Sequence, residues 1–417
     1  MHRIVASKGI PVQHAPYEEI SAPAEYLPLI KTAELEADAH QAFRRWRGRA
    51  PIAVHEGGPT FVLRYADVER LSSDPRLRAT ETGIAQQRGL AEGALYDFFE
   101  HGMLTANGES HERRRLPMSR AMASRLVNEV RSHTRECAET LIDDLSKERQ
   151  SEFVSSFAAL LPVYTLARVL GIPRGDEAVF SHDVLQLSKF FRPDSTDRDT
   201  AASTTAAENI YEYLKDLVQA RRENPATDLV SAFASATDDG ALSEVQIISQ
   251  LVQLLIGGTE SVRATIVAMT ANLLLKKDQW RAVCQSPKLI PAAVKETMRY
   301  EPGIAGLVRI VAEPIEIGRS LLSPGSLVVL SIMSAMRDET VFPAPDVFNI
   351  HRDVSVGRNL GFGSGAHRCV AEALAQAELE ETLAVLTRRL PSLRLEEIPV
   401  LKGFIFTRDP TSMCVSW

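Results

Sequence analysis

Cysteine is scarce in this chain. Only four occur among 417 residues, and Cys137, Cys284, Cys369 and Cys414 lie far apart in the sequence. A disulfide framework needs more cysteines, and structural zinc sites need them in closely spaced pairs, so neither is expected. The thiols are therefore predicted to be reduced, as in a cytoplasmic protein.

Long uninterrupted apolar runs are also missing. The first twenty residues contain no apolar segment that could serve as a leader, and charge or proline breaks each later apolar stretch. We therefore expect no contact with a membrane. A formal net charge of −7, from 54 acidic and 47 basic residues, argues against a nucleic-acid-binding protein. No G-x-G-x-x-G string follows a predicted strand, which excludes a fused flavin or nicotinamide domain.

What is abundant is helical periodicity. The apolar spacing predicts helices over Thr32–Arg47, Ser110–Ser146, Phe153–Leu170, Asp176–Phe190, Ala201–Arg222, Ser243–Lys276 and Pro291–Tyr300. Strands are predicted in TFVLRY, PIEIG, SLVVLS and TSMCVSW, whereas Thr80–Asn107 is predicted to be rich in loops. Because no repeat or interdomain linker is visible, we predict a single domain over residues 1–417, mainly α with a small β region.

One cysteine stands in an unusual context, the string NLGFGSGAHRCVAEALAQAELE from Asn359 to Glu380. Three glycines permit backbone angles closed to other residues, and Cys369 is predicted in the first turn of a helix that ends near Leu390. The unpaired N–H groups of such a turn favour a thiolate, the metal-binding form of cysteine. A single thiolate does not suit zinc or an iron–sulfur cluster, but it suits the axial position of a haem iron. The simpler alternative is a thiol that merely begins a helix.

The whole string resembles the haem-binding signature of the cytochrome P450 family. The pattern F-G-x-G-x-H-x-C is carried by Phe362, Gly363, Gly365, His367 and Cys369. Leu374, Ala375 and Glu378 continue it, while Ala371 replaces a usual glycine and Gln376 a common arginine. The resemblance extends in order from about Thr60 to the C-terminus, and it implies a P450 fold that binds haem b with Cys369 as the iron ligand.

A second motif is LLIGGTESV, inside the longest predicted helix. Two adjacent glycines, Gly257 and Gly258, each cost about 1 kcal/mol in a helix interior relative to alanine, and close helix packing would be the simple explanation. The resemblance instead implies an oxygen-binding helix in which small residues make room above the iron. Glu260 and Ser261 then take the place of the acid and the hydroxyl that relay protons. Serine lacks the methyl group of the usual threonine, so we expect looser proton control and leakage of peroxide.

The family's E-x-x-R pair is matched by Glu296 and Arg299, and Arg352 in DVFNIHR would complete this structural cluster. The same spacing also begins at Glu112, Glu260 and Glu316, and most such pairs are solvated. Position in the chain selects the pair at Glu296, which lies between the glycine-containing helix and the cysteine loop.

Basic residues are the third part of the resemblance. Haem carries two propionates, whose carboxylates need charge-assisted hydrogen bonds when buried. The resemblance places His111, Arg115, Arg309 and His367 at propionate positions. A further basic group on the cysteine side consists of Arg113, Arg114, Arg120 and Arg368. On an acidic protein such a group favours an acidic electron donor, a ferredoxin-type partner served by a separate NAD(P)H reductase.

Substrate is expected in an apolar pocket above the haem. Its predicted lining is Tyr96, Phe98, Leu254, Gly257, Gly258, Ile304, Val308 and Phe406. Tyr96 could hydrogen-bond a substrate oxygen, and a terpenoid or a small aromatic compound would suit the pocket. The predicted activity is monooxygenation with O2 by a monomer that binds no nucleic acid. Two alternatives stay open: a peroxide-driven or non-oxygenating thiolate-haem enzyme, and a haem-based sensor or carrier without turnover.

Overall fold

The structure is a computed structural model that describes residues 27–122, 125–145, 149–192, 194–237, 240–353 and 355–417. The stretch over which no leader was predicted lies outside these residues. The described chain is mainly helical. Its α-helices are α1 (Thr32–Arg47), α2 (Tyr65–Leu71), α3 (Gly83–Gln87), α4 (Ala94–His101), α5 (Gly108–Ala121), α6 (Arg125–Leu145), α7 (Leu160–Leu170), α8 (Glu177–Ser188), α9 (Asp197–Glu223), α10 (Leu229–Ser235), α11 (Glu244–Leu275), α12 (Lys277–Gln285), α13 (Ile290–Tyr300), α14 (Ile332–Ala335) and α15 (Glu372–Arg389).

Helix α11 is the axis of the fold. It begins with a reciprocal capping box in which Ser243 accepts from the N–H of Gln246 and the Gln246 side chain accepts from the N–H of Ser243. Its first half packs in a core with α4, α7, α8, α9 and α10, and its second half in another core with α6, α13 and α15. Among the described residues it is the one helix long and apolar enough to cross a membrane, and 83% of its most apolar window is buried inside the protein. Core packing therefore accounts for its composition.

The strands are short, and six of those in the described chain form one mixed sheet, while the others form three smaller sheets. They are β1 (Leu29–Ile30), β2 (Ile52–His55), β3 (Thr60–Val62), β4 (Leu77–Arg78), β5 (Gln150–Glu152), β6 (Gly306–Val311), β7 (Ile315–Ile317), β8 (Ser320–Leu322), β9 (Leu327–Ser331), β10 (Arg394–Leu395), β11 (Leu401–Lys402), β12 (Asp409–Pro410) and β13 (Cys414–Ser416). The largest sheet has the order β1-β2-β3-β9-β6-β4. Within it β3 runs parallel to β9, with Phe61 opposite Val329, and β6 runs antiparallel to β9, with Arg309 opposite Val328. Strand β6 lies beside the cysteine loop, since a Cβ at Gly363 would lie 3.7 Å from Cδ1 of Leu307.

The predicted fold class, mainly α with a small β region, is confirmed. One local prediction was incomplete and another was wrong. The region predicted to be rich in loops contains α3 and α4, because its apolar patch Leu95, Phe98 and Phe99 forms the buried face of a helix. The predicted helix over Ser110–Ser146 is two helices, α5 and α6, and Pro117 lies inside the first. The single domain over the whole chain stays a prediction.

Candidate functional site

The cysteine loop is a tight turn held by backbone hydrogen bonds. The N–H of Cys369 donates to the carbonyl of Phe362 (2.9 Å), and the N–H of Gly363 donates to that of Leu360 (2.8 Å). Gly363 (φ +71°) and Gly365 (φ +66°) lie in the left-handed region, which favours glycine. A Cβ at Gly365 would also lie 2.8 Å from the carbonyl oxygen of Ser72, so a side chain is excluded there on two grounds.

Cys369 lies three residues before α15 rather than in its first turn, which corrects the prediction. The predicted stabilisation of the thiolate by the protein alone is also wrong. Burial raises the pKa of the Cys369 thiol, and a hydrogen bond from the N–H of Ala371 and the positive charges of Arg115 and Arg368 only partly oppose that effect. A bound metal ion would supply the missing positive charge, since a coordinated thiol is deprotonated outright.

A group of basic side chains adjoins the cysteine loop. The rings of His111, from α5, and His367, from the loop, have centroids 4.1 Å apart. Burial and the nearby arginines lower the pKa of His111 to about 4 and that of His367 to about 3. Arg309, from β6, is 9% exposed, and burial lowers its pKa to about 10. Arg115 donates from Nη2 to the carbonyl of Arg368 (2.6 Å), which ties α5 to the loop.

These four residues lack acidic partners. No carboxylate in the described part of the chain pairs with His111, Arg115, Arg309 or His367, and Arg309 donates only to the carbonyl of its own neighbour Val308 (2.8 Å). The buried guanidinium of Arg309 is costly without an anion, and the half-buried Arg115 and the two imidazoles can also donate hydrogen bonds, so the arrangement fits an anionic ligand. A haem would bring two propionate carboxylates to this basic group and an iron to the Cys369 thiol, so the residues present fit haem.

The predicted structural cluster forms around Glu296. Arg299 donates to both carboxylate oxygens of Glu296 (Nε–Oε2 2.8 Å, Nη2–Oε1 2.8 Å), and Arg352 donates from Nε to Oε2 (3.1 Å). Arg299 also donates to the carbonyls of Met336 and Pro345. Because Glu296 and Arg299 are 4% and 3% exposed, the cluster is part of the core beneath the loop.

The two glycines of α11 have different surroundings. A Cβ at Gly257 would meet no atom within 4 Å, and Gly257 is exposed on a helix whose neighbouring residues are buried. A Cβ at Gly258 would lie 2.9 Å from Cδ1 of Leu166. Gly257 therefore borders open space, as the family resemblance implied, whereas Gly258 permits close helix packing.

That open space is a small apolar cleft of about 40 Å³. It is lined by Phe98, Leu104, Phe191, Ile256, Gly257, Glu260, Ser261, Ile304, Phe406 and Thr407. Four of the predicted lining residues are among them: Phe98, Gly257, Ile304 and Phe406. The other four are not. Leu254 is buried in the core, Gly258 contacts Leu166, Tyr96 packs partly buried on α4, and Val308 packs partly buried against the core beneath the sheet.

Sequence reasoning missed Leu104, Phe191, Ile256 and Thr407. The signal for Ile256 was its position directly before Gly257, and that for Thr407 was its place beside Phe406. A larger cleft of about 420 Å³ lies elsewhere, between α1 and the C-terminal turns of α11 and α13, and contains none of the predicted site residues.

Glu260 and Ser261 both line the apolar cleft. Glu260 is 3% exposed; its Oε2 accepts from Nη2 of Arg263 (2.6 Å), and its buried Oε1 has no hydrogen-bond partner. The hydroxyl of Ser261 donates to the carbonyl of Gly257 (2.8 Å). An acid and a hydroxyl thus reach the same space, an arrangement that can hold and transfer a proton.

Comparison with known proteins agrees with this geometry. Residues 284–399 match the family model described as cytochrome P450. The plant-inducible cytochrome P450-pinF1 of Rhizobium radiobacter is 33% identical over 388 residues, covering 93% of this chain and 92% of that protein. Mycinamicin IV hydroxylase/epoxidase of Micromonospora griseorubida is 32% identical and covers 85% and 89% of the two chains. The crystal structure of a myxobacterial cytochrome P450 in complex with myristic acid has a TM-score of 0.81 at 28% identity, covering 92% and 97%.

The fold, the cysteine loop with its acid-free basic group, and relatives that match over almost their whole length all agree. The chain belongs to the cytochrome P450 family and is a cytochrome P450 monooxygenase.

Proposed function

We propose that this enzyme binds haem b through Cys369 and oxidises a small to medium hydrophobic substrate with O2 and two electrons. In this proposal the electrons come from NAD(P)H through a separate reductase and a ferredoxin, and the protein acts as a cytoplasmic monomer. When bound, the haem supplies the activation of dioxygen, so that one oxygen atom enters the substrate and the other leaves as water with two protons. The observation that carries the proposal is the acid-free group of His111, His367, Arg115 and Arg309 beside the Cys369 loop.

Each protein group has a limited task in this proposal. Arg115, Arg309 and the two histidines bind and orient the carboxylates of the cofactor. The Ala371 N–H, which hydrogen-bonds the Cys369 sulfur, stabilises its negative charge. Glu260 and Ser261 hold and pass protons toward the space beside Gly257, while Phe98, Ile304 and Phe406 exclude bulk water from it.

A hydrophobic substrate is supported by the cleft lining, which apart from Glu260, Ser261 and Thr407 consists of apolar side chains and a glycine. The myristic-acid complex of a related protein shows that a member of the family at 28% identity takes a long apolar ligand. Titration of the ferric holoenzyme with fatty acids, terpenes and small aromatic compounds would identify the class, because displacement of an iron-bound water changes the spin state. A response to charged sugars alone would contradict the proposal.

The proposed electron donor would dock on one face of α5. Arg113, Leu116 and Arg120 lie on this face at spacings of three and four residues and are exposed, with Leu116 at 52%. Arg114 contributes less, because it donates to the carbonyls of Glu100 and Gly102, and Arg368 is already paired with Glu372. We expect Arg113→Glu with Arg120→Glu to slow reduction by a ferredoxin, most strongly at low salt, because exposed charges steer association. Arg174→Glu, at a distant arginine that is 79% exposed, is the control.

A peroxide-driven reaction is the second candidate. It is favoured by one observation: the Ser261 hydroxyl already donates its proton to the Gly257 carbonyl within the helix, so this proton is not offered to the cleft. Turnover with peroxide and none with a reconstituted electron chain would select it.

The central test is the iron ligand itself. We expect the reduced, carbon-monoxide-bound protein to show a thiolate-haem spectrum that Cys369→His abolishes, with Cys284→Ser as a matched control at another partly buried cysteine. A colourless wild-type protein, or a spectrum that Cys369→His leaves unaltered, would refute the proposal.

A further inference from the structure

Three charged residues form a buried cluster beside the apolar cleft. Nη2 of Arg263 lies 2.6 Å from Oε2 of Glu260 and 2.5 Å from Oδ1 of Asp409. Arg263 and Glu260 have side chains 4% and 3% exposed, and Asp409 is 16% exposed. One guanidinium therefore serves two carboxyl groups, one of them buried and the other largely shielded from solvent.

The hydrogen bonding of this cluster is incomplete. Oε1 of Glu260 and Nε of Arg263 are buried and have no partner. The pair Glu296–Arg299 has the same spacing, but there the guanidinium engages both carboxylate oxygens. Arg263 instead uses a single nitrogen for both acids. Glu260 is thus held by one oxygen, and the other oxygen is kept without a donor.

Asp409 connects this cluster to the C-terminal segment that lines the cleft. Phe406 and Thr407 line the cleft, and Asp409 follows two residues later in β12. Its neighbour Arg408 donates to Oε1 of Glu301, and the N–H of Ala305 donates to the carbonyl of Phe406 (2.6 Å). The segment is therefore fixed to α13 by Arg408 and to α11 by Asp409.

We propose that Arg263 and Asp409 are positioning residues for proton transfer: together they fix Oε2 of Glu260, so that Oε1 is the carboxylate oxygen that takes up and passes a proton. Because Asp409 lies on the segment that carries Phe406 and Thr407, the segment that lines the cleft also holds Glu260 through Arg263. The inference rests on the proposed relay role of Glu260. It goes beyond that role by assigning the orientation of this acid to Arg263 and to Asp409, which lies 146 positions after Arg263 in the sequence.

The test uses the reconstituted holoenzyme with Arg263→Lys and Asp409→Asn, each alone and combined with Glu260→Gln. Lysine keeps the charge but cannot reproduce the planar fork of arginine. We expect either single variant to lower product formation per electron by about tenfold, with the difference appearing as peroxide, since a charge-assisted hydrogen bond of this kind is lost. Dissociation constants for substrate should change by no more than about twofold, because neither residue is among those that line the cleft.

The decisive readout is non-additivity. If Arg263 and Asp409 act through Glu260, neither substitution should change the peroxide fraction further in the Glu260→Gln background. A second readout needs no turnover: the infrared carboxyl bands of the resting holoenzyme that are lost in Glu260→Gln should shift in both single variants. Lys215→Met removes an exposed pair of the same spacing on α9 (Glu212–Lys215, 3.3 Å) and should leave both readouts unchanged.

The outcomes distinguish failure of the positioning role of Arg263 and Asp409 from failure of the relay role of Glu260. An increase in peroxide in Glu260→Gln without one in Arg263→Lys or Asp409→Asn would overturn this inference and leave the relay role of Glu260 standing. An unchanged peroxide fraction in Glu260→Gln would overturn the relay role and the inference with it. Additive effects of Asp409→Asn and Glu260→Gln would assign Asp409 a merely structural role and likewise overturn the inference.

Discussion

The two adjacent glycines of α11 allow a matched pair of substitutions. Alanine is favoured over glycine in a helix interior by about 1 kcal/mol, and this gain is the same at both positions. At Gly258 the new methyl group would lie 2.9 Å from Cδ1 of Leu166, so the leucine must shift. Overpacking typically costs about 1–3 kcal/mol, and its lower end applies because only the end of a flexible side chain must move. We therefore expect Gly258→Ala to leave the free energy of unfolding almost unchanged.

At Gly257 the added methyl group would meet no protein atom within 4 Å. We expect Gly257→Ala to raise the free energy of unfolding of the haem-free chain by about 1 kcal/mol. With an unfolding entropy of roughly 2.1 cal/mol/K per residue over the whole chain, this corresponds to about 1 °C in Tm, so urea unfolding is the better assay. In the holoenzyme the same methyl group occupies the cleft, and ligand-induced spin-state changes should weaken for the largest ligands only.

The opposite pattern would refute this reasoning. If Gly258→Ala weakens ligand binding while Gly257→Ala leaves it as in the wild type, then the assignment of Gly257 to the cleft and of Gly258 to helix packing is wrong. Leu166→Ala combined with Gly258→Ala serves as the control, because it removes the predicted clash at Gly258.

Three further predictions concern the site and its support. Arg309→Leu removes a charge-assisted hydrogen bond worth about 1.5–3 kcal/mol, so the affinity of the variant for haem should be roughly 10-fold to 100-fold weaker than that of the wild type, as measured by transfer of haem to an acceptor apoprotein. Equal retention of haem by the two proteins would contradict the propionate role of Arg309. Glu296→Gln leaves Arg299 and Arg352 without their anion and should destabilise the protein by about 3–5 kcal/mol in urea unfolding, whereas Asp67→Asn at the exposed Asp67–Arg70 pair should cost less than about 1 kcal/mol. Burial raises the pKa of Glu378 to about 8 in the folded state, so the contribution of this side chain to stability is fully present below pH 4.5 and is lost as pH rises to about 8. Glu378→Gln should flatten this decline and stabilise the protein at pH 7 by about 3 kcal/mol. Urea midpoints of the wild type and the variant that differ by the same amount at pH 5, 6.5 and 8 would refute this prediction.

Much of the helical frame could be predicted from local periodicity. Helix α1 begins and ends as predicted, and α11 differs by one residue at each end, because long amphipathic or apolar stretches carry their own signal. The division between α5 and α6 escaped prediction, since both sides continue the same period. Short strands such as β4 and β11 also escaped, because two residues show no alternation.

Site residues that belong to a sequence motif could be predicted, whereas those whose position depends on tertiary packing could not. The cysteine loop and the Glu296 cluster follow from sequence patterns. The raised pKa of Cys369 could not be foreseen, because it depends on burial of the thiol and not on its distance from the helix start. The contact of Arg263 with Asp409 joins residues that are 146 positions apart in the sequence, and no local pattern predicts it. The lining residues Leu104 and Phe191 lie in a turn and in a short 3-10 helix (Lys189–Phe191), and the position of both depends on tertiary packing.

The last strand has a consequence for biosynthesis. β13 pairs with β5, and Val415 lies opposite Ser151. At a typical translation rate of about 5–20 residues per second, β5 leaves the ribosome roughly 13–50 s before its partner is made. During that interval the edge of β5 that later pairs with β13 is open to other chains, and loss of residues 414–416 would leave this edge unpaired and favour aggregation. Pairing of β5 with β13 therefore has to wait until residues 414–416 have left the ribosome.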